Sequence, residues 1–184
     1  METELKLMLC REGYERLLQK ATTRNLRQVN HYFDLVKFQN LMLRIREKAG
    51  AYELTLKISE SEQAGVFVNQ ELNVPISAAE FSEYVKCGIS SELLHRLFQC
   101  DVPPYTAKYL GKLTTYRSIV PWKDVTLELD KNEYLSHVDY EVECESNDLQ
   151  TLAEVKSMLL QECNATESRP KFQRFYERLQ KGAK

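Results

Sequence analysis

The feature that most constrains this chain is a strand pattern that keeps returning, with charged residues at every second position and apolar residues between them. Residues 1–9 put Glu2, Glu4 and Lys6 on one side and Thr3, Leu5, Leu7 and Leu9 on the other, because successive side chains of a strand face opposite ways. Residues 41–48 carry Arg44 and Arg46 opposite Leu43 and Ile45, and residues 52–58 carry Glu53, Thr55 and Lys57 opposite Leu54, Leu56 and Ile58. In residues 66–74, Asn69, Glu71 and Asn73 share a face; in residues 107–120, Arg117 is in phase with Leu113 and Thr115 while Lys112 is not. Residues 122–130 set Glu128 and Asp130 against Leu127 and Leu129, and residues 135–146 set Asp139, Glu141, Glu143 and Glu145 against Tyr140, Val142 and Cys144.

One strand of this kind is ordinary, its charges left in water. The collected set is not. Acids Glu2, Glu4, Glu71, Glu128, Asp130, Glu141 and Glu143 share a face with bases Lys6, Arg44, Arg46, Lys57 and Arg117. On an open sheet each such pair contributes little. In a closed antiparallel barrel they line a polar lumen, the apolar faces turn outward beneath helices, and no sheet edge is left exposed. For the hairpin of residues 41–58, a solvated basic surface is the alternative.

Between the strands, Lys48-Ala49-Gly50-Ala51 reads as a hairpin turn, residues 59–65 as a polar loop, Lys131-Asn132-Glu133 as a turn and residues 28–34 as a strand. Helices are expected over residues 11–19, from the Ser77/Glu80 capping box to about Lys86, from Ser90 or Ser91 to Phe98, and from Asn147-Asp148 to about Cys163. Residues 169–180 form a basic amphipathic helix with Phe172, Phe175, Tyr176 and Leu179 on its apolar side.

A chain of 184 residues with 43% hydrophobic and 28% charged residues fits one domain spanning 1–184. Its net charge of −2 supplies no general attraction to a nucleic acid duplex or an anionic membrane, so any anion site must come from local clustering. There is no apolar run of transmembrane length and no signal-peptide pattern. The five cysteines are scattered, odd in number and form no C-x-x-C, which fits free thiols in the cytoplasm.

In chain order, Glu-x-Glu-x-Lys at 2–6, Tyr-Phe-Asp at 32–34, Leu-Arg-Ile-Arg followed by a turn and Tyr-x-Leu-Thr-x-Lys over 43–57, Leu-Asp at 129–130 and Glu-Val-Glu at 141–143 resemble the CYTH, or triphosphate tunnel metalloenzyme, superfamily. The resemblance runs from Glu2 to about Glu143 and loosely beyond, where Ser168-Arg169-Pro170-Lys171 is similar to a family lysine that follows a serine. It implies an α+β fold, an eight-stranded closed antiparallel β-barrel with helices packed outside. It also implies a metal-dependent hydrolase of inorganic triphosphate or of an organic triphosphate such as thiamine triphosphate, acting as a monomer or homodimer.

The residue chemistry agrees with that implication. Arginine binds phosphate oxygens through a planar fork and lysine as a mobile point charge. Clustered carboxylates suit a hard cation, Mg²⁺ or Mn²⁺. The expected ligands of the metal are Glu2, Glu4 and Glu143, with Asp130 and Glu141 as second-metal or water-orienting groups. Lys6, Arg44, Arg46, Lys57, Arg117 and Lys171 are expected to bind substrate. Lys6, Glu71, Asp130 and Glu141 are expected to serve the chemistry, Glu71 by orienting an arginine or the water. Without a cation, the clustered carboxylates are expected to repel one another. An adenylate cyclase of the same superfamily and a non-catalytic polyphosphate- or nucleotide-binding module are the alternatives.

Overall fold

The computed structural model describes residues 2–35, 40–99, 103–167 and 169–182, the side chain of Glu2 apart. Its elements, in order, are β1 (Glu2–Leu9), α1 (Arg11–Leu18), β2 (Thr23–Phe33), β3 (Leu41–Lys48), β4 (Ala51–Gln63), β5 (Val66–Ile76), α2 (Ala78–Cys87), β6 (Ile89–Ser90), α3 (Ser91–Phe98), β7 (Thr106–Ala107), β8 (Tyr109–Trp122), β9 (Val125–Tyr134), β10 (His137–Glu145), α4 (Leu149–Cys163), β11 (Thr166–Glu167) and α5 (Lys171–Gly182). Eight strands pair antiparallel in the order β10-β9-β8-β2-β3-β4-β5-β1, and β1 pairs back onto β10, so the sheet closes on itself. The short β11 adds to β1 at Leu7 and Met8. No helix among the described residues is long and apolar enough to cross a membrane.

Register brings the charged positions level with one another. Lys6 lies opposite Glu143, Asp130 opposite both Glu141 and Arg117, Lys57 opposite Glu71, and Arg46 opposite Asn30. Since side chains alternate in or out along each strand, these cross-strand neighbours share the lumen. The apolar positions between them face out. Leu5, Leu7 and Leu9 of β1, Leu127 and Leu129 of β9 and Val142 of β10 pack under Tyr14 and Leu17 of α1 and Leu152, Val155 and Leu159 of α4. Phe33, Leu43, Ile45, Leu54 and Leu56 pack under Tyr84 of α2 and Leu94 of α3. Each fully buried aliphatic side chain contributes about 1.5–3 kcal/mol. Gly13 lets α1 approach α4, for a Cβ there would stand 2.5 Å from the carbonyl oxygen of Cys163.

The helix starts follow their caps. Ser77 accepts from the backbone of Glu80 while the Glu80 carboxylate accepts from the backbone of Ser77. Asp148 caps α4 through the amides of Gln150 and Thr151. Two connections differ from expectation. β9 continues through Lys131, Asn132 and Glu133, and the chain reverses at Leu135 and Ser136, which take the left-handed φ of 46° and 57°. β4 continues to Gln63, and the reversal falls at Ala64-Gly65. On β9, Lys131 and Glu133 alternate with the buried Asn132, whereas residues 59–63 of β4 are exposed throughout although they pair with β5. β2 also starts earlier than expected, at Thr23.

Helix α5, also outside the barrel, packs over one of its ends, not over its apolar outer face. Its Phe175 is fully buried against Tyr32, Leu113 and Tyr134, residues of β2, β8 and β9 that share the inward phase of Asn30, Thr115 and Asn132. Phe172 lies tilted against Tyr32, with ring centroids 5.0 Å apart. Gly111 makes room, since a Cβ there would stand 3.0 Å from Phe175 Cζ. The helix therefore covers one end of the lumen over the β2, β8, β9 and β10 side.

Candidate functional site

The lumen contains a cavity of about 420 Å³. Six cationic side chains line it, Lys6, Arg44, Arg46, Lys57, Arg117 and Lys171, against the four carboxylates of Glu4, Glu71, Glu143 and Glu145. Among the described residues, the cavity lining of this chain, whose net charge is negative, thus carries more cations than carboxylates.

Most of the cations are tied. Lys6 bridges Glu4 Oε2 at 2.7 Å and Glu143 Oε1 at 2.5 Å. Burial opposes its charge, but Glu143, Glu4 and Glu141 outweigh burial and hold its pKa above the ordinary lysine value. Lys57 bridges Glu4 Oε1 and Glu71 Oε1, each at 2.9 Å. Asn69 donates a further hydrogen bond of 3.1 Å to Glu4. Burial alone would raise the Glu71 carboxyl; Arg44 and Lys57 overcome it and hold it down at about 2. Arg117 forks onto both oxygens of Asp130, at 2.8 and 2.7 Å, and also reaches Glu143 and Glu128. The Glu128 carboxyl is pushed up by its burial despite Arg117.

Arg44 and Arg46 differ from these. Arg44 meets Glu71 only at 3.4 Å, and its buried Nε has no hydrogen-bond partner among the described residues. Arg46 donates to the amide oxygen of Asn30 at 3.2 Å, and no carboxylate among the described residues stands within ion-pair distance of it. Desolvation, then the charges of Arg44 and Arg117, pull its pKa down to about 10. A guanidinium with donors to spare can receive an anion.

Behind the cavity lies an acidic layer that α5 neutralises. Asp130 and Glu141 are fully buried and do not line the cavity. Lys171 donates to Asp130 Oδ2 and Glu143 Oε1, both at 2.8 Å. Arg174 donates to Asp139 at 3.0 Å and to Glu141 Oε2. Asp139 also accepts from Tyr134 at 2.7 Å and from Asn132 at 3.0 Å, and Asn132 accepts from Thr115 at 2.7 Å. Burial pushes the Glu141 carboxyl up despite Lys171 and Arg174, whereas Lys171, Lys6 and Arg117 overcome burial at Glu143 and hold it well below the carboxylate range.

The structure thus brings Lys6, Glu4, Arg44, Arg46, Lys57, Glu71, Arg117, Glu143 and Lys171 to one cavity and sets Asp130 and Glu141 behind it. Glu2 is placed in β1 by its backbone, opposite Asn69; its side chain, like residue Ser168, lies outside the described residues. Asp34 accepts from the Tyr105 hydroxyl at 2.8 Å, away from the cavity lining. Sequence reasoning did not identify Gln28, Asn30 and Tyr32 of the wall or Arg174 of the acidic layer, and it set Asp139 on the face of Glu141 and Glu143 without giving it a role. The inward parity of β10 marks Asp139; only the docking of α5 identifies Arg174. The expected carboxylate repulsion is replaced by pairing, since ammonium groups stand between the acids.

Those ammonium groups also bear on a divalent cation. Among the described residues, no three histidine, cysteine, aspartate or glutamate side chains are gathered so as to hold a metal ion. The donors present are nevertheless of the chemical kind such a cation takes. All candidates are hard oxygen ligands, Glu4 and Glu143 already converge on one cation, the Lys6 ammonium, and the buried Glu141 Oε1 has no hydrogen-bond partner among the described residues.

Comparison with known proteins agrees with this architecture. The family model described as CYTH domain matches residues 1–176. YjbK of Bacillus subtilis (strain 168), whose name carries a provisional triphosphatase assignment, is 34% identical over 191 residues, covering 98% of this chain and 97% of that one. A Bacillus halodurans structure, provisionally named an adenylate cyclase, superposes with a TM-score of 0.73 at 27% identity over 96% of this chain and 97% of its own. HpAC1 from Hippeastrum, described as having a dominant triphosphatase activity, superposes with a TM-score of 0.75 at 22% identity over 96% of each chain.

Proposed function

Because this chain belongs to the CYTH domain family, we propose that it is a metal-dependent hydrolase of triphosphate compounds, inorganic triphosphate or an organic triphosphate such as thiamine triphosphate. The observation that carries this reading is a pair of guanidinium groups in a closed barrel: Arg44, whose buried Nε has no hydrogen-bond partner among the described residues, and the half-buried Arg46, which donates to the amide oxygen of Asn30. A polyphosphate supplies the missing negative charge and the missing acceptors.

Each residue then has a task that follows from its position. Arg44 and Arg46 grip phosphate oxygens by their forks, while Lys6, Lys57, Arg117 and Lys171 neutralise the remaining charge. Glu71 holds Arg44 and Lys57 in place from the cavity wall. Glu2, Glu4 and Glu143, with Asp130 and Glu141 behind them, would hold Mg²⁺ or Mn²⁺. The bound cation supplies charge neutralisation across the phosphates and orientation of the attacking water. Burial of these groups strengthens every such contact, and positioning with charge neutralisation provides most of the catalysis in phosphoryl transfer. No serine or cysteine nucleophile is called for. The whole span 1–184 acts as one unit, in the cytoplasm, as a monomer or homodimer.

Incubation of the purified protein with inorganic triphosphate, nucleoside triphosphates and thiamine triphosphate, in Mg²⁺ or Mn²⁺, tests this directly. Orthophosphate release from at least one of them is expected. Cyclic AMP formed from ATP would identify the cyclase alternative, and tight binding with no product would identify a binding module.

A further inference from the structure

Two buried side-chain atoms without a hydrogen-bond partner among the described residues stand on directly opposed residues of β3 and β4: Nε of Arg44 and Oγ1 of Thr55. Leu54 and Leu56 pack outward under the helices, so Thr55 between them faces the lumen, as Arg44 does between Leu43 and Ile45. Opposed residues of an antiparallel pair that share a face hold their Cβ atoms about 4.5–5.5 Å apart. Arg44 lines the cavity, whereas Thr55 is fully buried and does not. The hydroxyl therefore lies behind the guanidinium. Each group costs free energy while it is buried and unpaired, and each is what the other needs, since Nε only donates and a hydroxyl oxygen accepts. The guanidinium is held elsewhere and loosely. Its Nη2 meets the two oxygens of Glu71 at 3.5 and 3.4 Å, long for a charged pair. Glu71 has a closer partner in Lys57, at 2.9 Å, so it can release Arg44 and stay paired.

We infer that Thr55 is a positioning residue for Arg44: when a phosphate group replaces Glu71 at the terminal nitrogens, the Thr55 hydroxyl accepts from Nε and sets the plane of the fork. The inference rests on the triphosphate reading above and deepens it. A guanidinium grips a phosphate through two parallel N–H bonds only when its plane is set, and a long side chain with one loose contact loses rotamer freedom in being set. An acceptor at Nε supplies part of that ordering from the side away from the cavity, while the phosphate oxygens take the side that faces it. The shape of the barrel wall does not call for the hydroxyl. Valine would fill the same place between Leu54 and Leu56 and leave no polar atom unpaired.

The probe is a non-hydrolysable imido analogue of inorganic triphosphate with Mn²⁺, titrated by calorimetry into wild type, Thr55→Val, Thr55→Ser, Arg44→Lys and the double variant Thr55→Val/Arg44→Lys. Thr55→Val should bind about three- to tenfold more weakly than wild type, the size of one net hydrogen bond, and Thr55→Ser, which keeps the hydroxyl, should recover to within about twofold of wild type. Arg44→Lys keeps a cation but has carbon where Nε stood, so in that background Thr55→Val should change binding by less than about twofold. Without the analogue, Thr55→Val should melt no lower than wild type, because it removes an unpaired buried hydroxyl. Unchanged binding by Thr55→Val, or an equal loss in both backgrounds, overturns the positioning role and leaves the hydrolase reading standing. A Thr55→Val protein that melts well below wild type or fails to fold overturns it too, since the hydroxyl would then be bonded within the fold itself. No binding by wild type overturns the triphosphate reading.

Discussion

Replacing Arg46 with methionine should make the protein more stable and less able to bind its ligand. Met keeps an unbranched stem but carries neither charge nor donors. In the structure Arg46 donates one hydrogen bond, to the amide oxygen of Asn30, it has two cationic neighbours, and its pKa falls below the ordinary arginine value, to about 10. Holding that charge at neutral pH costs about 3 kcal/mol. Water in the cavity screens the site, which lowers the expected gain from Arg46→Met to about 1–3 kcal/mol. For a chain of this size that is a rise in melting temperature of roughly 2–10 °C. The same substitution removes a charged phosphate contact in a partly desolvated site, a loss of about 2–5 kcal/mol in binding. The assay is thermal melting without ligand together with calorimetric titration of inorganic triphosphate, on both proteins. A variant that melts lower than wild type and binds triphosphate as tightly would refute the reasoning, because Arg46 would then be a structural cation and not an anion receptor.

Three further outcomes are expected. The Glu71 carboxyl is held at about 2 against an ordinary 4.5, so its contribution of about 3 kcal/mol is present above pH 4.5 and lost as pH falls towards 2; melting curves of wild type and Glu71→Gln should differ most near neutral pH and converge in acid, and a constant gap would contradict this. Phe175→Ala should destabilise the docking of α5 by about 3–5 kcal/mol, seen as faster amide exchange across Lys171–Gly182, whereas unchanged exchange would mean the helix is held by its ion pairs alone. Glu4→Gln should lower kcat far more than it raises KM. Because Glu4 accepts from Lys6, Lys57 and Asn69, the variant should also melt lower than wild type, and a higher melting temperature would restore the idea of carboxylate repulsion.

The barrel was legible because strand parity is a binary signal. Leu5 and Leu7 against Glu4 and Lys6, or Leu54 and Leu56 against Thr55 and Lys57, fix which face is which, and Lys112 and Arg117 were separated correctly by the same rule. The signal weakens where the two faces are chemically alike. On β2 every residue from Gln28 to Phe33 is buried, some in the lumen and some beneath helices, so Gln28, Asn30 and Tyr32 did not stand out as wall residues. On β9 the partly exposed Lys131 and Glu133 alternate with the buried Asn132, and three polar residues in a row imitate a turn. The role of α5 was not legible at all. A period of 3.6 tells which residues of a helix are apolar, not that Phe175 meets the inside of a barrel or that Arg174 pairs with Asp139, 35 residues away. Those contacts depend on how α4 and β11 return the chain to the end of the lumen.

Whether a triphosphate binds inside the barrel against Arg44 and Arg46 is seen in a crystal structure with a non-hydrolysable imido analogue of triphosphate and Mn²⁺. The account predicts phosphate oxygens at about 2.7–2.9 Å from the guanidinium groups of Arg44 and Arg46, with Lys57 and Arg117 flanking the chain of phosphates and the Arg44 Nε satisfied. An analogue seated on the outer surface, or held in the lumen by other groups while Arg44 and Arg46 keep only Glu71 and Asn30, would contradict it.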